Sequence, residues 1–128
     1  MKLLQVEDII MLHRTLSEMT GGSPELRDRG LLESAVYSAN ASFGGVECYP
    51  TLSQKAARLA YALIANHAFV DGNKRIGILA MLVTLRMNAV TLSFTQAELI
   101  DLGLSAASGK MGYEQILAWI ERHDLSNK

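Results

Sequence analysis

The stretch His67-Ala-Phe-Val-Asp-Gly-Asn-Lys-Arg75, "HAFVDGNKR", lies between two oily segments, "AARLAYALIAN" before it and "IGILAMLVTL" after it. Both flanks read as buried helices. Thr51 and Gln54 are spaced as a capping box that opens a helix running to Asn66 or His67. Gly72 interrupts, and a second helix is predicted from Asn73 to Met87 or Asn88. Its apolar run, Ile76 to Leu85, is fenced by Arg75 and Arg86. That run is far short of the roughly 20 residues a membrane span needs, so no membrane is expected.

Working outward, the period stays helical. Val6, Ile9, His13, Leu16 and Met19 step by three and four, with Glu7 and Asp8 in the first turn where the helix dipole favours acids. Gly21-Gly22 stops that helix, and Asp28 is an acceptable N-cap for the next, "RGLLESAVYSAN". "ASFGGVECYP" (41–50) breaks the pattern and predicts a loop or small extended flap. Thr95 and Glu98 form another capping box, and "YEQILAWIERH" closes the chain with Ile116, Trp119 and Ile120 on one face. "AVTLSF" reads as a short extended link with no evident partner strand. Met11, Met19, Met81, Met87 and Met111 read as core filler. The expected architecture is all-α, a bundle of about six helices in one domain over residues 1–128.

Composition narrows the function classes. The chain has 128 residues, 49% hydrophobic and 20% charged, as an ordered globular chain has. Formal net charge is -1 with the cations scattered, so no basic stripe points to direct nucleic-acid binding. Cys48 is the single cysteine, which excludes an internal disulfide and favours a reducing compartment. Acids at Glu7 and Asp8 come too early for a signal-peptide apolar region, so a cytoplasmic protein is expected.

The chemistry of 67–75 can be read alone. Backbone N–H groups at a helix start lack partners and attract anions, and Gly72 lets a ligand approach the turn. Lys74 and Arg75 add full positive charge, Asp71 is a hard oxygen donor suited to Mg2+, and His67 can take a proton from a hydroxyl. Phe69 is the apolar anchor of the loop. The same residues also fit an ordinary Gly-Asn turn with solvated cations and a histidine at a helix end. A zinc site at His67 and Asp71 lacks a third ligand nearby, and Cys48 in a loop is a weak nucleophile candidate. His13 lies on an apolar face as a hydrogen-bonded core or supporting group, and His123 suits a helix C-terminus.

The order of these residues resembles the signature of the Fic/Doc family, His-x-Phe-x-Asp/Glu-Gly-Asn-x-Arg, which His67, Phe69, Asp71, Gly72, Asn73 and Arg75 match. "VEDIIMLHRTLSEMTGG", "LRDRGLLESA", "FGG" before "YPTL" and "KAARLAYALIANHAFVDGNKR" resemble the death-on-curing (Doc) branch in order and spacing. Lys74 stands where AMP-transferring members carry glycine, which also matches that branch. The resemblance implies a Fic-fold toxin of a toxin–antitoxin pair. It implies a kinase that moves the γ-phosphate of ATP to a Ser or Thr of elongation factor Tu and so halts protein synthesis.

On the same basis His67 is the general base, Asp71 holds Mg2+, Gly72 and Asn73 shape the phosphate-binding turn, and Lys74 and Arg75 hold phosphate oxygens. The flap aligns the target peptide, and a Phd-type antitoxin docks in a groove lined by the early helices. No inhibitory Ser/Thr-x-x-x-Glu-Gly/Asn string is present. AMP transfer by the same loop and a non-catalytic binding module remain the alternatives. Two departures stand out: Ala68 replaces a common proline, which is expected to loosen the turn, and Ile76-Gly77 replaces a frequent Thr-Ala, which removes a hydroxyl.

Overall fold

The computed structural model describes residues 1–127. Six helices follow in order: α1 (Val6–Thr20), α2 (Arg29–Ser38), α3 (Leu52–Asn66), α4 (Asn73–Met87), α5 (Gln96–Ala107) and α6 (Tyr113–His123). A two-stranded hairpin, β1 (Ser42–Phe43) and β2 (Val46–Glu47), stands between α2 and α3, and a 3-10 turn (Leu125–Asn127) follows α6. The fold is all-α, as expected, with the irregular segment at 41–50 resolved into that hairpin. Gly44 and Gly45 have φ of 58° and 81°, the conformation that a tight antiparallel turn with right-handed twist requires.

Helix α3 is the axis, and it buries residues on two sides. Leu59, Ala62 and Leu63 pack with α1, α2 and the start of α4 around Ile9, Leu32 and Ile76. Ala56, Ala60 and Ile64 pack the other way, with Met81, Leu102, Ile116 and Ile120. Each large side chain buried in this way contributes about 1.5–3 kcal/mol. The alanines of α3 and Gly77 of α4 let these helices approach closely. A Cβ at Gly77 would lie 2.7 Å from Ile64 Cγ1 and 3.0 Å from the Ala60 carbonyl oxygen. Ile76-Gly77 is therefore a packing pair. Ile76 is fully buried in the core, so a hydroxyl at that position would face apolar side chains rather than the turn.

The helix ends follow local chemistry. Thr51 with Gln54, and Thr95 with Glu98, form the reciprocal caps that their spacing predicts. Asp28 Oδ1 accepts from Leu31 N–H, and Gly21 ends α1 at φ 78°. The buried stripe of α1 is Ile9, His13 and Ser17, a strict i, i+4 row. Met11 and Met19 each lie two residues, about 200°, from members of that row. They are 67% and 79% exposed, which corrects their reading as core filler. Met81 is fully buried, and Met87 and Met111 pack at the core's edge.

The link "AVTLSF" does find a partner, in the C-terminal residues. Leu92 bridges Asp124, Ser93 N–H donates to His123 O (2.8 Å), and Leu125 N–H donates to Thr91 O (3.1 Å). His123 also ties α6 to α5: Nδ1 donates to Trp119 O (2.7 Å) and Nε2 to Glu98 Oε2 (2.9 Å). That hydrogen bond, with those from Thr95, lowers the Glu98 carboxyl to about 2.

Candidate active site

Residues 67–73 form the passage from α3 to α4, held by neighbours from several parts of the chain. His67 caps α3 in the left-handed conformation, φ 50° and ψ 50°. Phe69, 1% exposed, plugs the turn into the core and stacks on the His13 ring with centroids 3.7 Å apart. Asn73, the first residue of α4, closes the loop on itself. Its Oδ1 accepts from Phe69 N–H (3.0 Å) and its Nδ2 donates to Phe69 O (2.9 Å). Because a backbone N–H can bond only to the oxygen, this pair also settles which way the amide points.

That amide then faces the histidine, with Asn73 Nδ2 3.5 Å from His67 Nδ1. At 3.5 Å the contact is at the limit of a hydrogen bond and too long to fix the tautomer; with the proton on Nδ1, Nε2 keeps the free lone pair that a base needs. His67 Nε2 has no hydrogen-bond partner among the described residues. His67 lines a cavity of about 230 Å³ that is bounded also by Tyr61, Ile64, Met111 and Ile116. Asn73 thus spends its side chain inside the turn and leaves only its backbone for a ligand.

Asp71 and Gly72 form the outer edge. Asp71 Oδ1 accepts from Gly72 N–H (2.8 Å), and its side chain is exposed. Its Oδ2 lies where Gly22 has no side chain; a Cβ there would be 2.7 Å from it. The second glycine after α1 is thus a clearance for the carboxylate. Gly72 has φ 76°, and His13 Nε2 lies 3.4 Å from where its Cβ would be. His13 is 1% exposed and donates from Nε2 to Asp71 O at 2.7 Å. It supports the turn from beneath, and its Nδ1 is left without a partner.

Lys74 and Arg75 occupy a different concavity. They line an apolar groove of about 470 Å³ between α1, α4 and α5, with Leu16, Ile78, Leu99 and Ile100. The stem of Lys74 packs beside Gly103, whose Cβ would lie 3.5 Å from Lys74 Cδ. The predicted site residues are therefore brought together as a turn, with His67 on one flank and the two cations on the other. The expected groove of the early helices receives only Leu16 from α1; α4 and α5 form the rest.

Ala68 is fully buried, and its carbonyl accepts from both Arg27 N–H (2.8 Å) and Asp28 N–H (3.0 Å). The turn is tied down there without a proline. Arg27 is a residue that motif reading passes over. It lies in "LRDRGLLESA", forty residues upstream, and grips the His67 carbonyl. A cation at Asp71 is compatible with the exposed carboxylate. Among the described residues no group of three or more His, Cys, Asp or Glu side chains converges.

This turn between α3 and α4 carries His67, Phe69, Asp71, Gly72, Asn73 and Arg75 in the order of the Fic/Doc signature, and the Fic/DOC family model matches residues 3–85. The chain belongs to the Fic/Doc family. It is 47% identical over 73 residues to a protein of Mycolicibacterium smegmatis named Toxin Doc, covering 57% of this chain and 56% of that one. It is 30% identical over 122 residues to a protein of Escherichia phage P1 named Protein kinase doc, covering 95% of both chains. Among the described residues no helix is long and apolar enough to cross a membrane.

Proposed function

We propose that this chain is the toxin of a toxin–antitoxin pair and acts as a protein kinase, moving the γ-phosphate of ATP to a Ser or Thr hydroxyl of a translation factor. The observation that carries this reading is the turn itself. His67 lines a cavity at one side, and the start of α4 with Lys74 and Arg75 lies at the other. The name of the phage P1 relative, aligned over 95% of both chains, supports kinase chemistry. Lys74 in place of glycine puts bulk and a point charge beside the N-terminus of α4, which favours a terminal phosphate there.

In this mechanism His67 Nε2 takes the proton of the target hydroxyl. The hydroxyl oxygen bonds to the γ-phosphorus, and the bond from that phosphorus to the β,γ-bridging oxygen breaks, with its electron pair leaving on ADP. The N–H groups at the start of α4 and the side chains of Lys74 and Arg75 hold phosphate oxygens. Asp71 would hold Mg2+, which neutralises phosphate charge when bound. The β1–β2 hairpin aligns the target segment, with elongation factor Tu as the target to test first.

The antitoxin, of the Phd type, would lay an amphipathic segment in the groove between α1, α4 and α5. Lys74 and Arg75 lie in that groove, so the same segment would cover the phosphate-binding cations.

The test combines purified protein, Mg2+ and a bacterial lysate containing elongation factor Tu, with ATP labelled at either the α- or the γ-phosphate. Label is expected to transfer from the γ position alone and to disappear with His67→Ala or Asp71→Ala. Transfer from the α position would replace the kinase reading with AMP transfer. No transfer from either would favour a non-catalytic binding module.

A further inference from the structure

The C-terminal carbonyls of α3 turn toward a side chain from a distant part of the chain. Arg27 Nε donates to His67 O at 2.8 Å; its Nη2 donates to the same oxygen and to Asn66 O, the latter at 3.3 Å. The backbone around Arg27 runs along the turn. Leu26 bridges Phe69, Arg27 and Asp28 N–H both donate to Ala68 O, and Val70 N–H donates to Glu25 O at 3.0 Å. Glu25–Asp28 is thus a strap laid against Asn66–Val70, and its guanidinium grips the peptide unit that carries the histidine.

Three observations give that grip a purpose. His67 has φ 50°, a left-handed conformation that a residue with a Cβ keeps only where its surroundings enforce it. Helix α3 has no basic residue in its own last turn, so Arg27 supplies the cation that its negative end lacks. Arg27 makes no ion pair among the described residues, so its donors are committed to these carbonyls rather than to a carboxylate.

We propose that Arg27 is a positioning residue for His67: by holding the His67 and Asn66 carbonyls it fixes the left-handed peptide that aims the imidazole at the target hydroxyl. This rests on His67 being the base of the proposed transfer. Arg27 touches neither phosphate nor target in this scheme. Its loss is therefore expected to lower kcat while leaving the KM for ATP unchanged.

The experiment compares Arg27→Ala, Arg27→Lys and His67→Ala in the γ-phosphate transfer assay, with circular dichroism and the imidazole and Cα NMR signals of His67 recorded for each folded variant. Misplacing a reacting group by about 1 Å costs about 100-fold in rate, and a loss of that order in kcat is expected for Arg27→Ala. Added guanidinium at non-denaturing concentration should restore part of it. Arg27→Lys should recover less than wild-type activity, since one ammonium cannot reproduce the planar fork. The His67 signals should shift in Arg27→Ala.

Full kcat in folded Arg27→Ala, with His67→Ala inactive, would overturn the positioning role and leave the kinase reading standing. Activity retained by His67→Ala would remove the base assignment and this inference with it. Were wild-type protein to transfer no phosphate, unchanged His67 signals in Arg27→Ala would still overturn the grip itself. A loss of kcat that guanidinium does not restore and that tracks loss of helical signal would reduce Arg27 to a structural cap.

Discussion

In the turn between α3 and α4, Phe69 and Asn73 are buried; in the β1–β2 hairpin, every residue from Ser42 to Cys48 is exposed. Both segments are short irregular links between helices, and the Fic/Doc resemblance gives both a role. The turn is held from α1 by His13, from the strap by Arg27, and from within by Asn73. The hairpin is held by its own strand pairing, by Cys48 N–H on Ala41 O, and by one side chain from α3. Lys55, 3% exposed, donates from Nζ to Glu47 Oε1 (2.9 Å) and to Ala39 O (3.3 Å). Groups that must meet a reacting atom within a fraction of an ångström belong on an over-determined frame. A segment that adapts to a polypeptide needs only an anchored base.

The strongest way to break this contrast is Phe69→Ala. Removing a fully buried aromatic costs about 3–5 kcal/mol, a large part of the 5–15 kcal/mol that a domain has. Denaturant unfolding should show it, and a loss under about 1 kcal/mol would mean that the turn is anchored elsewhere. Asn73→Ala comes next. It leaves the buried Phe69 N–H and carbonyl unpaired, at about 1–3 kcal/mol for each orphaned group. Asn73→Asp keeps the acceptor for Phe69 N–H but sets a carboxylate oxygen against Phe69 O in a buried site, so it should cost at least as much by the same measurement.

Lys55→Met acts on the hairpin. Its expected signature is local: faster amide exchange across 41–48, with 67–73 unchanged. Equal acceleration in both segments would deny that they are separately held. Phe43→Ser should leave stability within about 0.5 kcal/mol, because Phe43 is 86% exposed. Its effect is expected instead in a raised KM for the protein target, measured at saturating ATP.

A tie remote from both segments provides a pH control. The hydrogen bond from His123, with those from Thr95, lowers the Glu98 carboxyl from its ordinary 4.5 to about 2. A depressed carboxyl stabilises the fold fully above its unfolded value and loses that contribution as pH falls through the folded one. The stability difference between wild type and Glu98→Gln should therefore be present at pH 5–7 and fade between about pH 4.5 and 2. Amide exchange in the turn should not follow it.

Much of this was legible from local patterns. The capping boxes at Thr51 and Thr95 are i, i+3 arrangements, and the helices follow from apolar spacing, so neighbours along the chain carry that information. Gly72 and the residues of "HAFVDGNKR" announce a turn between two helices for the same reason. The misreadings lie where a rotation of half a turn changes the outcome. Met19 fits a three-four pattern on α1, but the row that meets the core passes through Ser17 instead. Asn73 is recognisable as a member of the site, yet its side chain turns inward to Phe69, which spacing alone does not reveal.

The sequence by itself determined the helices, their caps, the place of the turn and the family whose signature it carries, because these depend on residues a few positions apart. The tertiary structure alone decided what holds the turn. It placed His13 under Asp71, left Gly22 bare to clear the carboxylate, closed Arg27 on the His67 carbonyl, and separated Lys74 and Arg75 from the cavity beside His67. The contacts of His13, Gly22 and Arg27 join α1, its end and the strap to one loop across forty or more residues. They exist only once α3 and α4 have packed, since the carbonyls and clearances they use are made by that packing.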